Sequence, residues 1–146
     1  MNSFSCVITG NRPTRFKFKY NEKDKRCQRI KKCLQEQFIR LYNQGVRCFW
    51  VGGAMGTDMW AAEILLRMKE QTAYQDVKLC LALPFEGYDA DWDDWHQKRM
   101  KFIRKYAAKV LILGEMPSSD NYKKRNYYMV EQAGYMVAVY DNTHNM

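Results

Sequence analysis

Two runs of this chain, Leu79-Cys80-Leu81-Ala82-Leu83 and Val110-Leu111-Ile112-Leu113, are apolar at every position. A strand with one wet face alternates apolar and polar residues; a strand covered on both faces does not. The runs therefore call for a sheet sandwiched between helices. The rest of the chain supplies the alternation such a sheet needs. Phe4 to Thr9 is a short apolar run. Glu22 to Asn43 has helical period, with Cys27, Ile30, Leu34, Phe38 and Leu41 in one stripe and Gln44-Gly45 as its stop. Val46 to Val51 reads as a second strand and Asp58 to Lys69 as a second helix. A third strand, Val77 to Leu83, is ended by Pro84. Then come helix Asp89 to Ala107, strand Lys109 to Leu113, helix Lys123 to Ala133 and strand Tyr135 to Tyr140. The expected fold is α/β and three-layered, a mostly parallel sheet of about five strands with helices on both faces. No repeat, low-complexity tract or linker divides residues 1–146, so one domain is expected.

In such sheets ligands bind beyond the carboxyl ends of the strands. Each strand here ends in a cluster that suits a site: Thr9-Gly10-Asn11-Arg12-Pro13, Gly52 to Asp58, Leu83-Pro84-Phe85-Glu86, Gly114-Glu115 and Tyr140-Asp141. The second cluster, Gly52-Gly53-Ala54-Met55-Gly56-Thr57-Asp58, joins a strand to a helix. Glycines let a backbone come close to a phosphate, and the helix start offers unpaired N–H groups. A phosphorylated small molecule, nucleotide-like, is the expected ligand. Pro13 biases Arg12 to an extended backbone at a strand end, where its planar fork suits a phosphate.

With 47% hydrophobic residues in 146, the chain is long enough for a real core. No apolar run approaches a membrane span, and the N-terminus lacks the pattern of a signal peptide. Cys6, Cys48 and Cys80 lie in apolar strand-like runs, where cysteine behaves as a small core residue. No cysteine pair has zinc spacing, and His96 and His144 are the only histidines. A reduced, cytoplasmic protein without metal or cofactor is expected. The net charge of +8 points to an anionic partner, a nucleotide or a nucleic-acid backbone; solvated helix faces account for most of the lysines.

Taken together the clusters resemble the SLOG superfamily, a Rossmann-like group that includes DprA and the LOG phosphoribohydrolases, and most of all its YpsA-like branch. That branch looks like Thr-Gly-His-Arg-Pro near the N-terminus; Thr9-Gly10-Asn11-Arg12-Pro13 stands there here. Its Gly-Gly-x-x-Gly-x-Asp turn followed by Trp-Ala-Ala-Glu corresponds to Gly52 to Asp58 and Trp60 to Glu63. Leu83-Pro84, Trp92 and Arg99, the run Arg125 to Val130, and Tyr140-Asp141 complete the match. The resemblance implies a ligand site built from Thr9, Gly10, Arg12, the turn residues Gly52, Gly53, Gly56, Thr57 and Asp58, together with Pro84, Arg125 and Asn126. Three assignments stay open: Asp58 as helix cap or ribose contact, Glu63 at the site or on the surface, and Trp92 stacked on a base or packed in the core. Two departures stand out. The family histidine is Asn11, and the family's usual Gly-Gly-Thr and further helix do not follow the last strand. The second departure leads to an expectation of self-association through an uncovered apolar patch.

The LOG enzymes are similar in their turn, Gly-Gly-x-Gly-Thr-x-x-Glu, whose glutamate helps break an N-glycosidic bond. Three residues on from Thr57 this chain has Trp60. The expected role is therefore binding, as a sensor or sequestering module for a nucleotide-derived signal. A glycosidase using Glu63 or Glu86 is the alternative. Single-stranded DNA binding, as resemblance to DprA implies, is a second alternative; it needs a basic groove with exposed aromatics.

Overall fold

The computed structural model describes residues 4–141. Five parallel strands form one sheet in the order β4-β3-β2-β1-β5. They are β1 (Ser5–Gly10), β2 (Cys48–Val51), β3 (Lys78–Phe85), β4 (Lys109–Gly114) and β5 (Tyr135–Val139). The helices between them are α1 (Lys25–Asn43), α2 (Thr57–Lys69), α3 (Asp94–Tyr106) and α4 (Asp120–Gln132). The chain steps outward from β1 to β4, then returns to place β5 on the other side of β1. Register runs Val7↔Trp50 and Val7↔Met136 across β1, and Leu81↔Val110 at the far side.

The pleat divides the core in two. Cys6, Ile8, Phe49, Val51, Leu79 and Leu81 face a large cluster that takes in α1, α2 and α3. Val7, Trp50, Cys80 and Ala82 face the opposite side, where Met129 and Ala133 of α4 meet them. Reversing the direction of travel between β4 and β5 puts a right-handed crossover on the other face, which is why α4 lies there alone. That face is thinly covered. Met136 on β5 is 55% exposed although its register partner Val7 is buried.

The helix starts differ from those expected, for a local reason. α1 begins at Lys25 rather than Glu22 because the Asp24 side chain caps it, accepting from the Arg26 N–H at 2.8 Å. α3 begins at Asp94 rather than Asp89 because Asp93 accepts from the His96 N–H. Residues 86–93 are thereby released as a loop at the carboxyl edge of the sheet. β3 passes through Pro84 instead of stopping at it. Its pairing with β2 ends at Val51↔Leu81, so beyond that point β4 is its only neighbour and a missing N–H costs no ladder bond.

One ion network ties the helical face together. Arg99 of α3 bonds Glu22 at 2.6 and 3.0 Å and Glu63 of α2 at 2.6 and 3.1 Å, while Lys31 of α1 reaches Glu22 at 2.8 Å. Burial alone would raise the Glu22 pKa, but the bonds from Arg99 and Lys31 outweigh it and the net shift is below the ordinary 4.5. A lowered carboxylate contributes stability that is complete above pH 4.5 and is lost as pH falls through the folded value. Unfolding free energies of the wild type and Glu22→Gln should therefore differ above pH 4.5 and converge below it. A gap that stays constant down to pH 3 would contradict this.

No helix among the described residues is long and apolar enough to cross a membrane. All five cysteines are free thiols.

Candidate functional site

At the carboxyl edge, three strand-end loops and the start of α4 close on a small cavity. Arg12, Ala54, Met55, Tyr88, Trp92, Tyr122 and Arg125 line it, and it encloses about 40 Å³. That is sheltered room for about three waters, and the cavity opens to solvent beyond it.

Each wall has a structural cause. The loop after β1 carries Arg12 and is pinned from two sides. The Asn11 N–H donates to Val139 O at 2.9 Å, and the Asn11 carbonyl accepts from the N–H and the hydroxyl of Thr57. All three bonds use backbone of residue 11, so asparagine in place of the family histidine leaves them intact. Further on, Phe16 and Phe18 stack at 5.1 Å and pack on Trp60. Trp60, 1% exposed, is the footing of the Arg12 loop.

The glycine turn is shaped by its own protein. Gly52 sits against the Arg125 side chain, and a Cβ there would lie 2.7 Å from Nη1. Gly53, at φ +78°, lies under Tyr88, whose hydroxyl donates to the Gly53 carbonyl at 2.7 Å. Gly56 opens α2 at φ +84° with the Asn11 carbonyl against it. Asp58, in the first turn of α2, is buried and accepts from the Ala54 N–H at 3.2 Å. Burial raises its pKa; the Arg125 and Arg12 charges and the turn's N–H groups oppose this without cancelling it. Asp58 thus braces the turn from behind.

Arg125 is 6% exposed. Its Nη1 donates to Gly52 O at 2.5 Å and its Nε to Asn126 Oδ1 at 2.9 Å. Nη2 has no protein partner among the described residues, and it is not a sealed atom. Burial lowers the Arg125 pKa, an effect that Asp58 opposes and Arg12 reinforces. Arg12, exposed at the lip, lies 5.8 Å from the Tyr122 ring centre; Arg125 lies 5.4 Å from the same ring. Among the described residues no carboxylate is within ion-pair distance of either guanidinium. Two cations share one aromatic ring at one small cavity, and burial raises the pKa of the aspartate close behind them.

The expected site residues divide accordingly. Arg12 and Arg125 line the cavity together. Asn126, Gly52, Gly53, Gly56 and Asp58 form the shell that holds them. Thr9 and Gly10 sit on β1 beneath the shell, where a Cβ at Gly10 would meet Thr57 and Val139 O at 2.6 Å. Thr57, fully buried, spends its hydroxyl on Asn11 rather than facing the cavity. Pro84 is buried within β3. Neither candidate acid is at the cavity: Glu63 is held by Arg99, and Glu86 pairs with Arg104 on the surface at 2.8 Å. Trp92 lines the cavity, edge-on to Tyr88 at 5.5 Å between ring centres. Tyr88, Tyr122, Ala54 and Met55 were not foreseen. Tyr122 had a readable signal, since it precedes Arg125 by three residues and so shares a helix face with it. Among the described residues no three His, Cys, Asp or Glu side chains converge as metal ligands.

The chain is similar to known proteins over most of its length. A UPF0398 protein of Bacillus cereus (strain ATCC 14579) is 28% identical over 138 residues, covering 92% of this chain and 73% of that one. UPF0398 protein BLi02355/BL05236 of Bacillus licheniformis is 26% identical over 137 residues, with the same coverage of 92% and 73%. A UPF0398 protein of Oenococcus oeni is 30% identical over 129 residues, 84% of this chain but 65% of its own length. The family model YpsA, described as the YspA SLOG family, matches residues 6–146. With the match running through every strand and through both arginine-bearing segments, this chain belongs to the YspA SLOG family.

Proposed function

We propose that this protein binds the phosphate-bearing part of a nucleotide or nucleotide-derived signal at the carboxyl edge of its sheet, as a sensor or sequestering module. One observation carries the reading: Arg12 and Arg125 flank the same small cavity, and among the described residues no carboxylate is paired to either. Arg125 is fixed by Gly52 and Asn126, so its free Nη2 is pre-aimed. Arg12 is exposed at the lip and closes from there. The rest of the ligand lies outside the cavity, against Tyr122 or Trp92, or enters when Tyr88 releases Gly53. Binding without rapid turnover is favoured because Glu63 and Glu86 are both held by arginines away from the cavity.

The test is titration calorimetry with a panel of nucleotides, cyclic nucleotides and ADP-ribose derivatives, on the wild type and Arg12→Ala. A charge-assisted arginine–phosphate contact is worth roughly 1.5–3 kcal/mol, so the variant should bind about ten- to a hundredfold more weakly. Its melting temperature should not change, because Arg12 makes no core contact. Equal affinities would remove the assigned site. Prompt release of a free base, followed by chromatography, would replace binding with hydrolysis.

Self-association belongs to the same proposal. Tyr127 and Val130 on α4 and Met136 on β5 are 71%, 49% and 55% exposed on the thinly covered side. Light scattering that shows only monomer at high micromolar concentration would remove it.

A further inference from the structure

We infer that two copies of this chain join through the outer edge of β5, the strands antiparallel about a two-fold axis at Val137, so that the two sheets run on as one; the inference deepens the self-association proposed above and rests on it. β5 is an edge strand, with β1 as its only strand neighbour among the described residues. An edge strand presents a row of N–H and C=O groups away from the sheet, and another extended backbone matches that row group for group. Proteins usually blunt such an edge with a charge, a proline or a bulge. Ala133 to Tyr140 carries no charge and no proline. β5 has no bulge either, since its register with β1 is unbroken from Tyr135 to Val139.

The side chains around the edge suit the same partner. On the helical face a hollow of about 320 Å³ lies between α1 and β5, lined chiefly by Ile30, Cys33, Leu34, Val137, Val139 and Tyr140. A strand laid beside β5 sends alternate side chains toward it. On the opposite face Met136 and Ala138 are exposed, with Tyr127 and Val130 of α4 also open on that side. A two-fold axis perpendicular to the sheet keeps the faces matched. It sets Tyr135 opposite the partner's Val139, Met136 opposite the partner's Ala138, and Val137 opposite itself, apolar against apolar on both faces. A second copy is the occupant because of charge. The chain carries +8, which opposes self-contact over most of its surface. The run from Ala133 to Tyr140 brings no like charges together when it meets itself. Such a contact also closes: pairing the two edges uses up both, whereas a flat edge left free templates further strands.

The experiment combines sedimentation velocity with amide hydrogen exchange, on the full chain at low and at high micromolar concentration. The wild type should dimerise over this range. Outward amides among residues 135–139 should exchange several-fold more slowly in the dimer, while those of α4 stay unchanged. Ala138→Lys places a charge on the edge, opposite Met136 of the partner subunit. It should weaken dimerisation by about tenfold, a loss of about 1.4 kcal/mol. The melting temperature of the monomer should not change, because Ala138 is exposed. Tyr127→Glu, on α4 alone, should weaken the dimer less. A dimer that Tyr127→Glu dissociates and Ala138→Lys does not, with β5 amides exchanging equally at both concentrations, overturns the edge pairing and leaves self-association standing. A monomer at every concentration overturns both. If a synthetic peptide of residues 134–140 then slows exchange of the β5 amides, the edge takes a strand from a different chain.

Discussion

Arg99→Leu should lower the unfolding free energy by about 3–5 kcal/mol, the usual cost of removing one partner from a buried ionic group. Among the described residues the arginine is the only cation shared by Glu22 and Glu63, and its side chain is 12% exposed against their 14% and 26%. Burial by itself pulls its pKa down; the bonds from Glu63 and Glu22 reverse that and hold it above its ordinary value. Without it, two half-buried carboxylates face each other with only Lys31 to pair with Glu22. For a chain of this length the expected fall in melting temperature is roughly 6–20 °C. Adding Glu22→Gln and Glu63→Gln should return a large part of it, because the penalty resides in the stranded charges. Urea titrations of the single and triple variants measure both numbers. A single-variant loss under 1 kcal/mol, or no recovery in the triple variant, would show that solvent already screens the network.

The second large effect is expected at the glycine turn. Gly53→Ala places a Cβ 2.5 Å from Leu83 Cδ2 and from the Tyr88 hydroxyl, at a φ of +78°. The left-handed backbone costs about 1–2 kcal/mol, and overpacking against a core leucine a further 1–3 kcal/mol. Gly87→Ala is the control, since its φ is +82° but nothing lies within 4 Å of the added atom. Gly87→Ala should therefore lose about 1–2 kcal/mol and Gly53→Ala clearly more. The Gly53 variant should also lose ligand affinity, because Tyr88 is both its neighbour and a cavity wall. Equal destabilisation at the two positions would mean that Tyr88 swings aside freely and does not close the turn.

The architecture was legible because its signals are local and repeated. Apolar runs marked the buried strands, the stripe on α1 marked its core face, and glycine turns marked the junctions. Helix starts were less legible. Asp89, Asp91, Asp93 and Asp94 all suit a helix opening, and which aspartate caps depends on where the loop from β3 must land. The sequence also misled over partners of single residues. Thr57 and Glu63 carry groups that suit a ligand or a reaction, and both are used internally, by Asn11 and by Arg99. Those contacts join residues 46 and 36 positions apart, and nothing in local spacing encodes them.

By itself the sequence determined the parallel α/β sheet, the family, and the two arginines, one in a strand-end loop and one on a helix, since each follows from residue pattern along the chain. Only the tertiary structure decided that both arginines lie within 6 Å of the Tyr122 ring, that the glycine faces are filled by Arg125 and Tyr88, and that these groups line one small cavity. It also decided that the helices divide three to one across the sheet, because β5 returns to the side of β1 opposite β2. The physical reason is the same in each case. Periodicity and backbone preference act between neighbours in the chain, whereas burial, charge pairing and the shape of a cavity depend on which distant elements the fold brings within a few ångströms.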